Sequence, residues 1–245
     1  MADKDNTKSD AEKSEKKEKN QLPDKPTETQ HSIKLGRKTL KYTANTGMMP
    51  LKDEKGEHNA NMFFTAYTLD GVADKASRPL TFVFNGGPGS ASVWLHLGAI
   101  GPKRVKMQDE GWLPQPPYKL VDNQQTWLDK TDLVFIDPIG TGYSRALNPD
   151  DNKKFWSLQG DLESVGEFIR LYLTKNSRWS SPLFMAGESY GTTRAAGLSG
   201  YLIDKGIAFN GIMLISTIIN FQTARFVRGN DLPYTLFLPT YTATA

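Results

Sequence analysis

The sequence has no cysteine in 245 residues. A disulfide framework and a thiolate metal site are both excluded. Histidine is scarce: His31, His58 and His96 are the only three. No metal-ligand or nucleotide-binding spacing occurs, so neither a metal nor a cofactor is expected. No apolar run approaches ~18 residues, so no membrane span is expected. No apolar h-region of a signal peptide is visible near the N-terminus, so the expectation is either a cytoplasmic protein or one whose signal is not in this sequence. Net charge is only +3, and no Lys/Arg cluster marks a helix face, so no nucleic-acid partner is expected. Oligomeric state is left open.

What is present falls into two parts. Residues 1–30 hold 7 Lys and 8 Asp or Glu, with Met1 and Leu22 as the only large apolar residues. Such a segment cannot bury enough apolar surface to offset its ordering entropy, so a disordered charged tail is expected. Residues 31–245 are long enough for a sizeable core. Strands are expected at 37–46 and 61–69, tightly joined as an antiparallel edge, with Asp70-Gly71 as the next turn. Short apolar runs follow at 79–84 (PLTFVF), 132–136 (DLVFI), 182–186 (PLFMA) and 211–215 (GIMLI). Leu158, Leu162, Val165, Ile169 and Tyr172 recur at helical spacing before the third run, and a second helix is expected over 190–202. Buried strands alternating with helices predict an α/β fold with a mostly parallel central sheet and helices on both faces.

In open α/β sheets reactive groups gather beyond the carboxyl ends of the strands. The candidate loops are therefore 85–92, 137–144 and 187–191. The last reads Gly187-Glu188-Ser189-Tyr190-Gly191, a G-x-S-x-G between a strand and a helix. That context suits a nucleophile elbow, with Ser189 at the tip of a turn that only flanking glycines allow. The bland reading is an ordinary strand-to-helix turn. Asn85-Gly86-Gly87-Pro88-Gly89-Ser90 could supply backbone N–H groups to a tetrahedral oxyanion, together with the N–H of Tyr190. A phosphate loop is disfavoured, because the lysine and glycine spacing of such loops are missing.

NGGPGS at 85–90, DPIGTGYS at 137–144 and GESYG at 187–191 resemble, in this order and at similar spacing, the blocks of the serine carboxypeptidases. The resemblance covers about residues 40–245 and implies an α/β-hydrolase fold. It implies Ser189 as nucleophile, and Gly87 and Tyr190 as oxyanion-hole donors. It also implies that Asn85 and Glu188 bind the free carboxylate of a peptide substrate, Glu188 in its protonated form, which favours acidic conditions. The resemblance also implies a secreted or periplasmic protein, and absence of cysteine points to a bacterial-type member.

Three departures matter. Ala99 stands where the family has a second Glu just before Gly101-Pro102. Ser90 replaces a cysteine common after Pro-Gly. All three histidines precede Ser189, whereas this fold orders its triad Ser, acid, His. Asp204 and Asp231 follow Ser189, but nothing in the sequence marks either as the acid. The stretch after Asn220 is similar to the start of the family's cap insertion, so the expectation is an N-terminal fragment whose catalytic acid and base lie further on. The leading reading is a serine carboxypeptidase. An esterase or acyltransferase on the same scaffold is kept open by Ala99, because G-E-S-x-G also occurs in esterases. The third reading is a non-catalytic, hydrolase-like binding protein.

Overall fold

A computed structural model describes residues 25–53 and 55–245. The tail expected over 1–30 lies outside the described residues as far as residue 24. Its last part differs from expectation: Thr27–Leu35 forms strand β1, paired antiparallel with β2 (Lys38–Lys52). Only Ile33 of β1 is buried, so its polar surface gave no apolar signal. β2 also runs further than expected, through Gly47 and Pro50, and pairs with β3 (His58–Leu69).

The remaining main strands are β4 (Leu80–Phe84), β7 (Asp132–Ile136), β9 (Leu183–Glu188) and β10 (Gly211–Ile215). Their order in the sheet is β1-β2-β3-β7-β4-β9-β10. β7, β4, β9 and β10 are mutually parallel, and β1 to β3 run antiparallel at one side. A two-residue strand β8 (Arg145–Ala146) pairs with β3, and β5 (Lys103–Val105) with β6 (Leu120–Asp122) forms a separate hairpin.

β4 and β7 are buried at every position, which explains their continuous apolar reading. Alternate side chains still divide between two cores. Leu80, Phe82, Phe84, Val134, Ile136 and Met185 face the helices α1 (Leu158–Lys175) and α2 (Tyr190–Ile203). Val83, Leu133, Phe135 and Ala186 face the other side, against Leu95, Ile100 and Leu128. α1 begins at Ser157, whose hydroxyl accepts a hydrogen bond from the Gly160 N–H at 3.1 Å, satisfying one orphan donor of the first turn. A final helix, α3 (Leu232–Thr244), buries little beyond Pro233. Among the described residues no helix is long and apolar enough to cross a membrane.

From β4 the chain moves one way to β7, then returns across β4 to β9. The loops leaving β4 and β9 therefore emerge side by side at a switch point, where ligand sites of open α/β sheets form.

Candidate active site

Parallel register determines which residues meet at that crevice. Phe84, the last residue of β4, pairs with Gly187 of β9. The next residues along each chain, Asn85 and Glu188, are consequently neighbours. Asn85 Nδ2 donates to Glu188 Oε2 at 3.0 Å, and Asn85 Oδ1 accepts from Leu95 N at 3.0 Å. Asn85 is fully buried and Glu188 half-buried.

Ser189 follows at the end of β9, with φ 58° and ψ −125°. A non-glycine residue at positive φ is strained. The surroundings hold it there. Its N–H donates to Ile215 O at 3.0 Å, and its carbonyl accepts from Thr192 N at 2.9 Å and Thr192 Oγ1 at 2.7 Å. Thr192 Oγ1 in turn accepts from Ile218 N at 2.9 Å. The elbow is thus bonded both to β10 and to the segment that follows it.

Glycines allow the two loops to touch backbone to backbone. A Cβ on Gly86 would overlap Tyr190 N and lie 2.7 Å from Glu188 O; one on Gly191 would lie 2.9 Å from Phe84 O. Gly87, at φ 107°, turns the loop so that Ser90 N reaches Gly86 O at 3.1 Å. Among the described residues, no backbone acceptor is bonded to the N–H of Gly87 or of Tyr190. Two N–H groups without a backbone partner are therefore left where the Gly86 backbone packs against Tyr190 N and Glu188 O. The third loop is attached through Asp137, whose Oδ1 accepts from Ser92 N and Ser92 Oγ, both at 2.8 Å. Burial raises the Asp137 carboxyl above its ordinary range, and the two Ser92 hydrogen bonds oppose this.

The five residues picked out by sequence, Asn85, Gly87, Glu188, Ser189 and Tyr190, thus meet at one crevice. The histidines do not join them. His31 and His58 are exposed on the antiparallel strands. His96 stacks on Phe135 at 4.4 Å and hydrogen-bonds the Tyr67 hydroxyl at 2.7 Å. Its burial lowers its pKa from 6.5 to about 4. Asp204 caps α2 and Asp231 precedes α3, both exposed. Among the described residues no side chain hydrogen-bonds the Ser189 hydroxyl.

Sequence reasoning missed Asp161 and Arg194. Arg194 Nε lies 2.8 and 3.0 Å from the two carboxylate oxygens of Asp161, and its Nη1 donates to Asn85 O at 2.8 Å. Both side chains are buried. The available signal was an arginine inside the small-residue run GTTRAAG, with no acid three or four positions away on its helix.

Comparisons with known proteins agree with the motifs. A family model described as serine carboxypeptidase matches residues 36–225. Serine carboxypeptidase-like 5 of Arabidopsis thaliana is 30% identical over 155 residues, which cover 62% of this chain and 33% of that protein. The pheromone-processing carboxypeptidase KEX1 of Saccharomyces cerevisiae is 32% identical over 160 residues, covering 60% of this chain and 20% of that protein. The crystal structure of a prohormone-processing KEX1 carboxypeptidase from Saccharomyces cerevisiae superposes with a TM-score of 0.60 at 25% identity, covering 82% of this chain and 42% of the other. In sequence, the match spans a third or less of these curated relatives. The α/β-hydrolase topology, the three loop motifs and the family match lead to one assignment: the chain belongs to the serine carboxypeptidase family.

Proposed function

We propose that this protein is a serine carboxypeptidase-type peptidase that releases C-terminal residues from peptides through an acyl-enzyme on Ser189. The observation that carries the reading is the strained Ser189, next in the chain to Glu188 of the Asn85–Glu188 pair and to the unbonded N–H of Tyr190. Ser189 Oγ forms the bond to the scissile carbonyl carbon. The carbonyl oxygen becomes an oxyanion, received by the N–H groups of Gly87 and Tyr190. The carbon–nitrogen bond then breaks, the Oγ proton leaves on the departing amine, and water later releases the acyl group. Asn85 and Glu188, already hydrogen-bonded to each other, receive the terminal carboxylate of the substrate.

Proton transfer from Oγ requires a general base, and none of the three histidines bonds Ser189. The 245-residue chain is therefore expected to work only at the residual level left by an oxyanion hole without its base, ~10³–10⁴-fold over water. Incubation with the p-nitrophenyl ester of an N-acyl amino acid tests this. Slow acylation should map to Ser189 by mass spectrometry, accelerate with added imidazole and vanish in Ser189→Ala. Equal labelling of Ser189→Ala would overturn the assignment, and fast turnover without imidazole would show that a base is already in place.

A second reading, an esterase or acyltransferase, is favoured by Ala99. It is exposed, and its carbonyl accepts from Asn123 Nδ2 at 2.7 Å, so this position offers a substrate carboxylate no acidic partner. Equal handling of free and amidated C-termini would support that reading.

A further inference from the structure

Arg194 reaches both loops of the crevice from α2, and with Asp161, Pro88, Gly89 and Tyr190 it lines a cavity of about 370 Å³. Its guanidinium lies 5.2 Å from the centre of the Phe84 ring and 5.3 Å from that of Tyr190. Phe84 precedes the first loop, and Tyr190 follows the nucleophile. Nη1 donates to the carbonyl of Asn85, while Nε is anchored on Asp161 from α1. One side chain, 2% exposed, therefore joins α1, α2 and the end of β4.

Stability alone does not account for such a pair. Removing two charges from water is expensive, and apolar residues of similar volume often serve a core equally well. What an apolar side chain cannot do is hold a particular main-chain carbonyl at a particular place. The held carbonyl belongs to Asn85, whose own side chain grips Glu188 on one side and the Leu95 N–H on the other. Turning that peptide group would move Asn85 Nδ2 away from Glu188. It would also shift the Gly87 N–H, two residues on, relative to that of Tyr190.

We infer that Arg194, anchored by Asp161, is a positioning residue: it sets the Asn85–Glu188 pair and the spacing of the two oxyanion donors without touching substrate. The inference rests on the carboxylate-binding reading above. Asp161 supplies the anchor and the countercharge. Arg194 supplies the reach, which no shorter side chain on α2 would have.

The test uses binding, so it does not depend on a general base. N-Benzoyl-phenylalanine and its amide are titrated calorimetrically into the full 245-residue chain at mildly acidic pH. The unaltered protein should bind the free acid at least ~10-fold tighter than the amide, the equivalent of ~1.4 kcal/mol. Arg194→Met, similar in length but without donors, should reduce that ratio by about tenfold, towards one. Arg194→Lys and Asp161→Asn should give intermediate ratios, since each keeps part of the network. A merely structural role would weaken acid and amide in step and leave the ratio unmoved. If Arg194→Met does not fold, Asp161→Asn, which preserves shape, carries the measurement. An unaltered protein with no preference would overturn the carboxylate-binding reading and this inference with it. A preference that persists in both Arg194→Met and Asp161→Asn would overturn the inference alone.

Discussion

Two buried aspartate–arginine assemblies sit at opposite ends of the same parallel strands. At the amino ends, Asp132 opens β7 and accepts from Arg78 Nε at 2.7 Å, Arg178 Nη1 at 2.6 Å and Leu69 N at 3.0 Å. The arginines carry the network on to Leu128 O, Ser181 Oγ and Arg78 O. At the carboxyl ends, Asp161 meets a single arginine, and that arginine's remaining bond goes to Asn85. The chemistry is the same, but the attachments differ. The first assembly ties the starts of β4, β7 and β9 to the end of β3, so disturbing it should loosen the whole sheet. The second ties two helices to one loop, so disturbing it should be felt in the crevice.

The largest expected effect comes from Asp132→Ala. It leaves the buried Arg178 and the partly buried Arg78 without their shared partner, and breaking a buried pair costs ~3–5 kcal/mol. Urea unfolding at neutral pH measures the loss. The acid-to-amide binding ratio of the protein that remains folded should stay unchanged. A fall in that ratio would erase the distinction between the two assemblies.

A background has to be subtracted before either assembly is compared across pH. His96 lies on the opposite face of the sheet, in the core with Tyr67 and Phe135. Its folded pKa, about 4, is depressed below the ordinary 6.5. Its contribution to stability is therefore complete above pH 6.5 and is lost as pH falls towards 4. At 1.36 kcal/mol per unit, the difference between pH 7 and pH 4.5 is about 2–3 kcal/mol. His96→Gln, which can still bond the Tyr67 hydroxyl, should remove that part of the pH dependence. An unchanged slope in urea titrations at the two pH values would place the acid sensitivity elsewhere.

The smallest effect on stability belongs to Gly86→Ala. The added methyl would press on Tyr190 N and Glu188 O, an overpacking that costs ~1–3 kcal/mol. The damage should be local, with a lower acid-to-amide ratio than in Asp132→Ala despite the smaller loss of stability. The reverse ranking would mean that the crevice is held by the sheet as a whole.

The sequence was most legible where side chains are buried on both faces. β4, β7, β9, α1 and α2 came from apolar runs and helical spacing, because a covered strand has no polar side to interrupt it. β1 was invisible for the opposite reason: TETQHSIKL is exposed at all but two positions. The continuation of β2 past Thr46 was hidden by Gly47 and Pro50, both unfavourable in strand interiors. Ser189 and Tyr190 were picked out because a tight turn demands glycines in a fixed pattern, whereas Asn85, Gly87 and Glu188 came from the resemblance of their loops to the serine carboxypeptidases. Asp161 and Arg194 were not found, because their pairing is 33 residues apart and exists only once α1 and α2 lie side by side on the sheet. Asp161 is buried, and its carboxylate is turned to Arg194.

Ser189 has one more implication, which concerns evolution. Its backbone angles suit glycine, which has no Cβ to clash. A serine in so sparsely populated a region is held at a cost of ~1–3 kcal/mol. A lineage free of any need for a hydroxyl at this turn would find a stabilising substitution through a single codon change, since serine and glycine codons can differ by one base. A serine at φ 58° and ψ −125° is therefore a standing selective disadvantage for a protein that only binds, and an ordinary compromise for one that acylates.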